Sequence, residues 1–289
     1  MSWPRRAPAV LVLCALGAAV GLSPRPSGAR MDRARRIQAM KGVVLLVALQ
    51  KQGRRLVPVG RGSGTIISAD GLILTNNHVI SDTRTWAPHD VVAVGLTTSF
   101  DQTPRPTCLA LPRRAIRSKP LDLAIIKCEA EVNGKPLRRA IRWPAVELGD
   151  SSTVVPGDDL YVVGYPSIGG MTITFSAGKT SGFLADDTLG ARAWFKTDAL
   201  ISPGVSGGAA FDEDGKLVGV PTQLRWRSGG RTSIGMVRPV ARARKLVATT
   251  VGKDWDKIPR AAAPTRPAPT STAAVQLGPV GVTGALAPA

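Results

Sequence analysis

The amino-acid sequence predicts an all-β protein of the sandwich or barrel type, on three observations. Short apolar runs rich in β-branched residues recur from Gly42 onward, and glycine and proline (31 and 23 residues) interrupt them. Aromatic residues make up only 4% of the chain, and helical spacing is confined to the stretch Pro239 to Val251 near the end. That stretch predicts a short C-terminal helix.

The elements follow in order. Arg30 to Lys41 is a charged segment suited to one or two helical turns. Val43–Val47 and Gly64–Ser68 are the first strands, and Asp70-Gly71 makes a tight turn into Leu72–Thr75, a hairpin pattern. Further strands are predicted at Val91–Leu96, Leu123–Lys127, Leu160–Gly164, Met171–Ser176, Ala193–Thr197, Gly208–Phe211, Leu217–Val220 and Ser233–Val237. They fall into two groups separated by Trp143–Asp150, giving halves at about 42–145 and 146–250 within a folded region 42–258.

The flanks have a different composition. Arg5 and Arg6 precede an uncharged stretch from Ala7 to Leu22, followed by Ser27-Gly28-Ala29, so residues 1–29 read as a secretory signal peptide cleaved after Ala29. An uncleaved anchor is the alternative, against which the stretch is short for a span. Residues 30–41 form the charged N-terminal segment, and residues 259–289 a proline- and alanine-rich tail expected to be disordered. A periplasmic or extracellular location without a mature membrane span follows from this reading.

The formal charge is +18, and removing Arg5, Arg6 and Arg25 with the signal leaves 18 − 3 = +15. Such a field attracts anionic polymers and surfaces non-specifically. The basic residues are scattered, with neither a recognition helix nor an aromatic platform among them, which argues against specific nucleic-acid binding. With the signal removed, Cys108 and Cys128 remain. They either pair as a disulfide across a hairpin or stay as two buried thiols, and their spacing leaves both open. Two cysteines and two histidines without ligand spacing exclude an obvious zinc site.

The chemistry centres on Ser202-Pro203-Gly204-Val205-Ser206-Gly207-Gly208. Glycines around a serine permit a tight turn that exposes the hydroxyl and gathers backbone N–H groups, here those of Gly204 and Ser206, into an oxyanion hole. A serine needs a base near neutral pKa, and the chain holds only His78 and His89. His78 directly follows a strand, whereas His89 lies in the polar loop Trp86 to Asp90 and reads as an exposed surface histidine. The histidine needs a buried carboxylate to fix its tautomer. Asp122, the acid entering the apolar strand Leu123–Lys127, supplies it, while Asp198 is read as support for the serine loop.

Together, Gly62-Ser63-Gly64-Thr65-Ile66-Ile67, Leu74-Thr75-Asn76-Asn77-His78-Val79, Asp122-Leu123-Ala124 and the segment Thr197 to Gly208 resemble the protease domain of the HtrA (Deg) serine proteases, within the chymotrypsin-like superfamily. The resemblance covers roughly residues 42–250. It implies two packed six-stranded antiparallel β-barrels with the active site between them. His78 and Asp122 would come from the first and Ser206 from the second. It also implies serine endopeptidase activity without metal or organic cofactor, protein or peptide substrates, and a homo-oligomer.

Two departures stand out. Val205 occupies the position where HtrA proteases carry Asn and chymotrypsin-type enzymes Asp, which excludes activation by a salt bridge from a new N-terminus. The roughly 35 residues after the protease segment are too few for a PDZ domain. Ser233-Ile234-Gly235-Met236 resembles the strand lining the family's primary specificity pocket, where a substrate would add by backbone pairing. It holds no acid, so small or medium apolar P1 residues are expected. A peptide-binding module that does not cut is the alternative function, and a surface-binding protein driven by charge is another.

Overall fold

The computed structural model describes residues 31–138, 141–226 and 233–251. The signal peptide and the tail inferred from the sequence lie outside the described residues. A helix α1 (Arg33–Lys41) opens the described chain. Asp32 caps it by accepting the Arg35 N–H at 2.9 Å, and Gly42 ends it.

Seven strands follow: β1 (Val43–Gln52), β2 (Arg55–Ile66), β3 (Leu72–Thr75), β4 (Val91–Leu96), β5 (Pro106–Ala110), β6 (Ile116–Ser118) and β7 (Leu123–Ala130). They form one antiparallel sheet in the order β3-β2-β1-β4-β5-β7-β6, and a further β3–β7 pairing joins Leu74 to Ile125 and closes six of them into a ring. The short β6 rides on β7 outside that ring, a seventh strand where the expectation was six. The second half contributes β8 (Asp159–Gly164), β9 (Thr174–Asp186), β10 (Gly190–Thr197), β11 (Ala209–Phe211), β12 (Leu217–Trp226) and β13 (Ser233–Pro239). These close a six-stranded barrel in the order β10-β13-β12-β11-β8-β9. A 3-10 turn, Val240–Ala243, leads into α2 (Arg244–Val251), whose Leu246 and Val247 pack on the core.

Strand β1 shows why its sequence is an unbroken apolar run. Alternate side chains of a strand point to opposite faces. Val44, Leu46 and Ala48 fill the interior of the first barrel with Ile66, Ile73, Val92, Val94 and Ile126. Val43, Leu45 and Val47 instead join a core that includes Tyr161, Val163, Tyr165 and Phe211 of the second half. Both faces are buried, so neither tolerates polar alternation. Each such side chain contributes about 1.5–3 kcal/mol on burial, enough for register to be set by this pattern.

The two strands absent from the sequence reading are β5 and β6. β5 begins at Pro106, allowed at the first position of a strand because its missing N–H falls outside the ladder. β6 has only three residues, too few to show a period. Cys108 in β5 and Cys128 in β7 are joined by a disulfide, with Cα atoms 5.8 Å apart. Because β6 intervenes, the bond bridges neighbouring strands rather than the arms of one hairpin.

Candidate active site

The register Thr75↔Ala124 sets the end of β3 beside the start of β7. The chain leaves β3 through a 3-10 turn, Asn77–Val79, which carries His78, and Asp122 immediately precedes β7. Asp122 adopts the left-handed conformation, φ +51°. Its carbonyl accepts from the Asn77 N–H at 3.2 Å and from Asn76 Nδ2 at 2.8 Å. This turns the carboxylate toward the histidine. Oδ1 accepts the His78 N–H at 2.9 Å, and Oδ2 lies 2.6 Å from His78 Nδ1. An ionised carboxylate can only accept, so Nδ1 carries the proton and Nε2 presents a lone pair.

The serine loop enters from the second barrel. Gly204 (φ +93°) and Gly207 (φ +82°) allow its reversals. A Cβ at Gly204 would lie 2.5 Å from the Tyr165 carbonyl, so only glycine fits. Val205 N–H donates to the Ser202 carbonyl and Gly208 N–H to the Val205 carbonyl, both at 3.0 Å. The Pro203 carbonyl accepts from the Ser167 N–H at 2.8 Å. Since a trans peptide opposes its C=O and N–H, the Gly204 N–H points the other way. Among the described residues, neither the Gly204 nor the Ser206 N–H has a protein acceptor. Two unsatisfied donors flanking a serine are what a developing oxyanion requires.

The Ser206 hydroxyl donates to the Thr222 carbonyl at 3.0 Å, and no hydrogen bond joins it to His78. Val205 is 4% exposed and packs with Val162, Phe195, Ala210 and Val218 in the second barrel. Its side chain is therefore a core group.

The predicted substrate strand differs from expectation. From Gly235 to Val237, β13 is paired on one side with β10 and on the other with β12, leaving no edge for a peptide there. Met236 is buried with Ala193 and Trp194 rather than lining a cleft. The edge open beside Ser206 belongs to β12. Its pairing with β11 stops at Gly219, while its Thr222 carbonyl accepts the Ser206 hydroxyl. Ser233 and Ile234 lie beyond the last β10 pair, Thr197↔Gly235. His89 is half-buried rather than exposed, because its N–H donates to the Ile80 carbonyl at 3.0 Å and draws the loop inward. Burial lowers its pKa. Asp198 accepts the Lys179 N–H at 2.6 Å, tying the root of the serine loop to β9.

Three residues had no separate role in the sequence reading. Ser63 donates to the Gly204 carbonyl and accepts from the Tyr165 N–H, both at 2.8 Å, while its own N–H donates to the Ser206 carbonyl at 2.9 Å. Asn76 Nδ2 reaches Thr222 Oγ1 at 3.0 Å as well as the Asp122 carbonyl. The Thr222 carbonyl in turn accepts the hydrogen bond of the Ser206 hydroxyl. The available signal was polar residues inside apolar strands, Ser63 between two glycines above all.

The family model of the trypsin-like peptidase domain matches residues 62–220, which contain His78, Asp122 and Ser206. The chain belongs to the trypsin-like peptidase domain family. Among relatives, a protein named probable periplasmic serine endoprotease DegP-like from Bartonella henselae is 35% identical over 205 residues, 70% of this chain and 36% of that protein. Its namesake from a Marinomonas species is 33% identical over 190 residues, 64% of this chain and 34% of that protein. This trypsin-like chain thus spans about a third of the length of the curated relatives it matches. Of solved structures, the HtrA-type protease AlgW with tripeptide superposes with a TM-score of 0.56 at 28% identity, covering 75% of this chain and 62% of that one. Among the described residues no metal-binding cluster of His, Cys, Asp and Glu occurs. No described helix is long and apolar enough to cross a membrane.

Proposed function

We propose that this trypsin-like domain is a serine endopeptidase acting through Ser206, His78 and Asp122. The observation that carries the reading is the 2.6 Å contact between His78 Nδ1 and Asp122 Oδ2 beside a serine flanked by free N–H groups. Ser206 Oγ, rotated from the Thr222 carbonyl toward His78, attacks the scissile carbonyl while Nε2 takes its proton. The tetrahedral oxyanion is received by the N–H groups of Gly204 and Ser206. His78 then protonates the leaving amine, and water, deprotonated by the same nitrogen, releases the acyl group. Asp122 holds the ring and stabilises the imidazolium throughout.

The substrates are unfolded or exposed protein segments, bound along the open edge of β12. Ile201 packs against Gly235, apolar and without a carboxylate, which supports small or medium apolar P1 residues. The names of the relatives support a periplasmic setting, and the resemblance to HtrA proteases supports a homo-oligomer. The net charge of +18 supports weak attraction to anionic surfaces. A non-cutting peptide binder draws no support from Val205, whose side chain is packed in the core.

A fluorophosphonate probe tests the assignment. Labelling of the wild-type protein, abolished by Ser206→Ala and by His78→Ala, is expected. Absence of labelling and of casein cleavage in the folded wild type would sink it.

A further inference from the structure

Arg238 lies in β13 with 2% of its surface exposed, a costly place for a cation unless its donors are satisfied. Nη1 donates to the Ala193 carbonyl at 2.9 Å and Nε to the Leu121 carbonyl at 3.1 Å. The guanidinium carbon stands 3.4 Å from the centroid of the Trp194 ring, a cation–π arrangement. Burial pulls its pKa down to about 10 despite the opposing pull of Asp186 and Asp122, and Arg242 adds to the fall. The group stays cationic at neutral pH.

The contact with Leu121 bears on the residue that follows. One end of the Leu121–Asp122 peptide is held by Arg238, and the N–H at the other donates to the Lys119 carbonyl at 3.1 Å. With that plane tied and the Asp122 carbonyl bound by Asn76 and Asn77, rotation about the N–Cα bond is fixed at φ +51°. A non-glycine residue keeps this conformation only where its surroundings over-determine it. The direction of the carboxylate follows from it.

We propose that Arg238 is a positioning residue for the reaction. From the second barrel it clamps the Leu121–Asp122 peptide of the first, aiming Asp122 at His78, and its charge faces the same carboxylate. The inference rests on the triad reading given above. Loss of the clamp misplaces Asp122. The charged groups around the guanidinium are Asp122, Asp186 and Arg242, and the group bonded to the imidazole is Asp122.

The test compares Arg238→Met and Arg238→Lys in the full chain, with active sites counted by fluorophosphonate. Arg238→Met is expected to lower kcat about 10–100-fold with little change in KM, the scale of a small misplacement of a catalytic group. Arg238→Lys keeps a cation but not the planar fork, so kcat falls there too. A folded Arg238→Met protein with wild-type kcat overturns the proposal, because a structural role alone would lower only the unfolding midpoint. If that variant does not fold, the low-field proton resonance between His78 Nδ1 and Asp122 is compared in Ser206→Ala with and without Arg238→Lys. A displaced resonance supports the clamp, and an unchanged one overturns it. This readout needs no turnover, so it separates failure of the clamp from failure of the protease reading.

Discussion

The Ser63 hydroxyl of the first barrel donates to the Gly204 carbonyl of the second at 2.8 Å, and its oxygen accepts the Tyr165 N–H at the same distance. One fully buried oxygen therefore fixes the peptide that follows Gly204 against β2 of the first barrel. Ser63→Ala leaves a buried carbonyl and a buried N–H unpaired, at about 1–3 kcal/mol. The expected outcome is a lowered unfolding midpoint together with a kcat loss of roughly tenfold, read from steady-state kinetics and denaturant titration. Full kcat in the folded variant would mean that Ser63 does not hold the loop.

Gly204→Ala tests the free N–H groups directly. The new methyl group meets the Tyr165 carbonyl and the Ser167 N–H in a backbone conformation that alanine disfavours. The loop must move, and with it one oxyanion donor, which is worth about 10²–10³ in kcat. Ground-state peptide affinity, measured in the Ser206→Ala background, is expected to change far less. Equal losses in both would point to a collapsed cleft instead.

The Cys108–Cys128 disulfide links two strands of the first barrel. Its reduction, or Cys108→Ala with Cys128→Ala, is expected to cost about 2–4 kcal/mol through the freedom returned to the unfolded chain. Unfolding with and without reductant measures this, and coincident curves would show that the bond contributes nothing.

Asp212, in the turn between β11 and β12, has a raised pKa, first through burial and also through the like charge of Asp214, against the Lys216 and Asp214 N–H groups that it accepts. The folded state therefore binds this proton more tightly than the unfolded chain. Stability from the protonated form is full below the ordinary value of 3.8 and is lost as pH rises through the folded value. At neutral pH the carboxylate is a net cost. Asp212→Asn, which keeps an acceptor oxygen, is expected to raise the unfolding midpoint at pH 7 and to lose that advantage toward pH 3. A destabilised variant at pH 7 would show that the charge is favourable.

Much of the fold was legible in local patterns. Val91–Leu96 and Leu72–Thr75 appear with the bounds their apolar runs suggested, and the Asp70-Gly71 turn joins β2 to β3. Strand ends were less legible. β2 starts at Arg55, nine residues before its apolar run, because its polar first half is ordered only by pairing with β1. The substrate side was less legible for a related reason. Which strand edge stays open depends on where its neighbours stop, and Thr197↔Gly235 and Ala210↔Gly219 are not written in the composition of β13 or β12.

The sequence by itself determined the barrel class, and it singled out His78, Asp122 and Ser206 as the residues on which the proposed function rests. Residue type and order limit who can act as base, acid and nucleophile, and period-two burial limits which runs become strands. Only the tertiary structure decided which polar groups meet across the halves: Ser63 with Gly204, Asn76 with Thr222, Arg238 with Leu121. These pairs are separated by more than 100 positions. They exist because two barrels, each closed around its own apolar interior, bury a shared face that leaves each of these polar groups its partner on the other side.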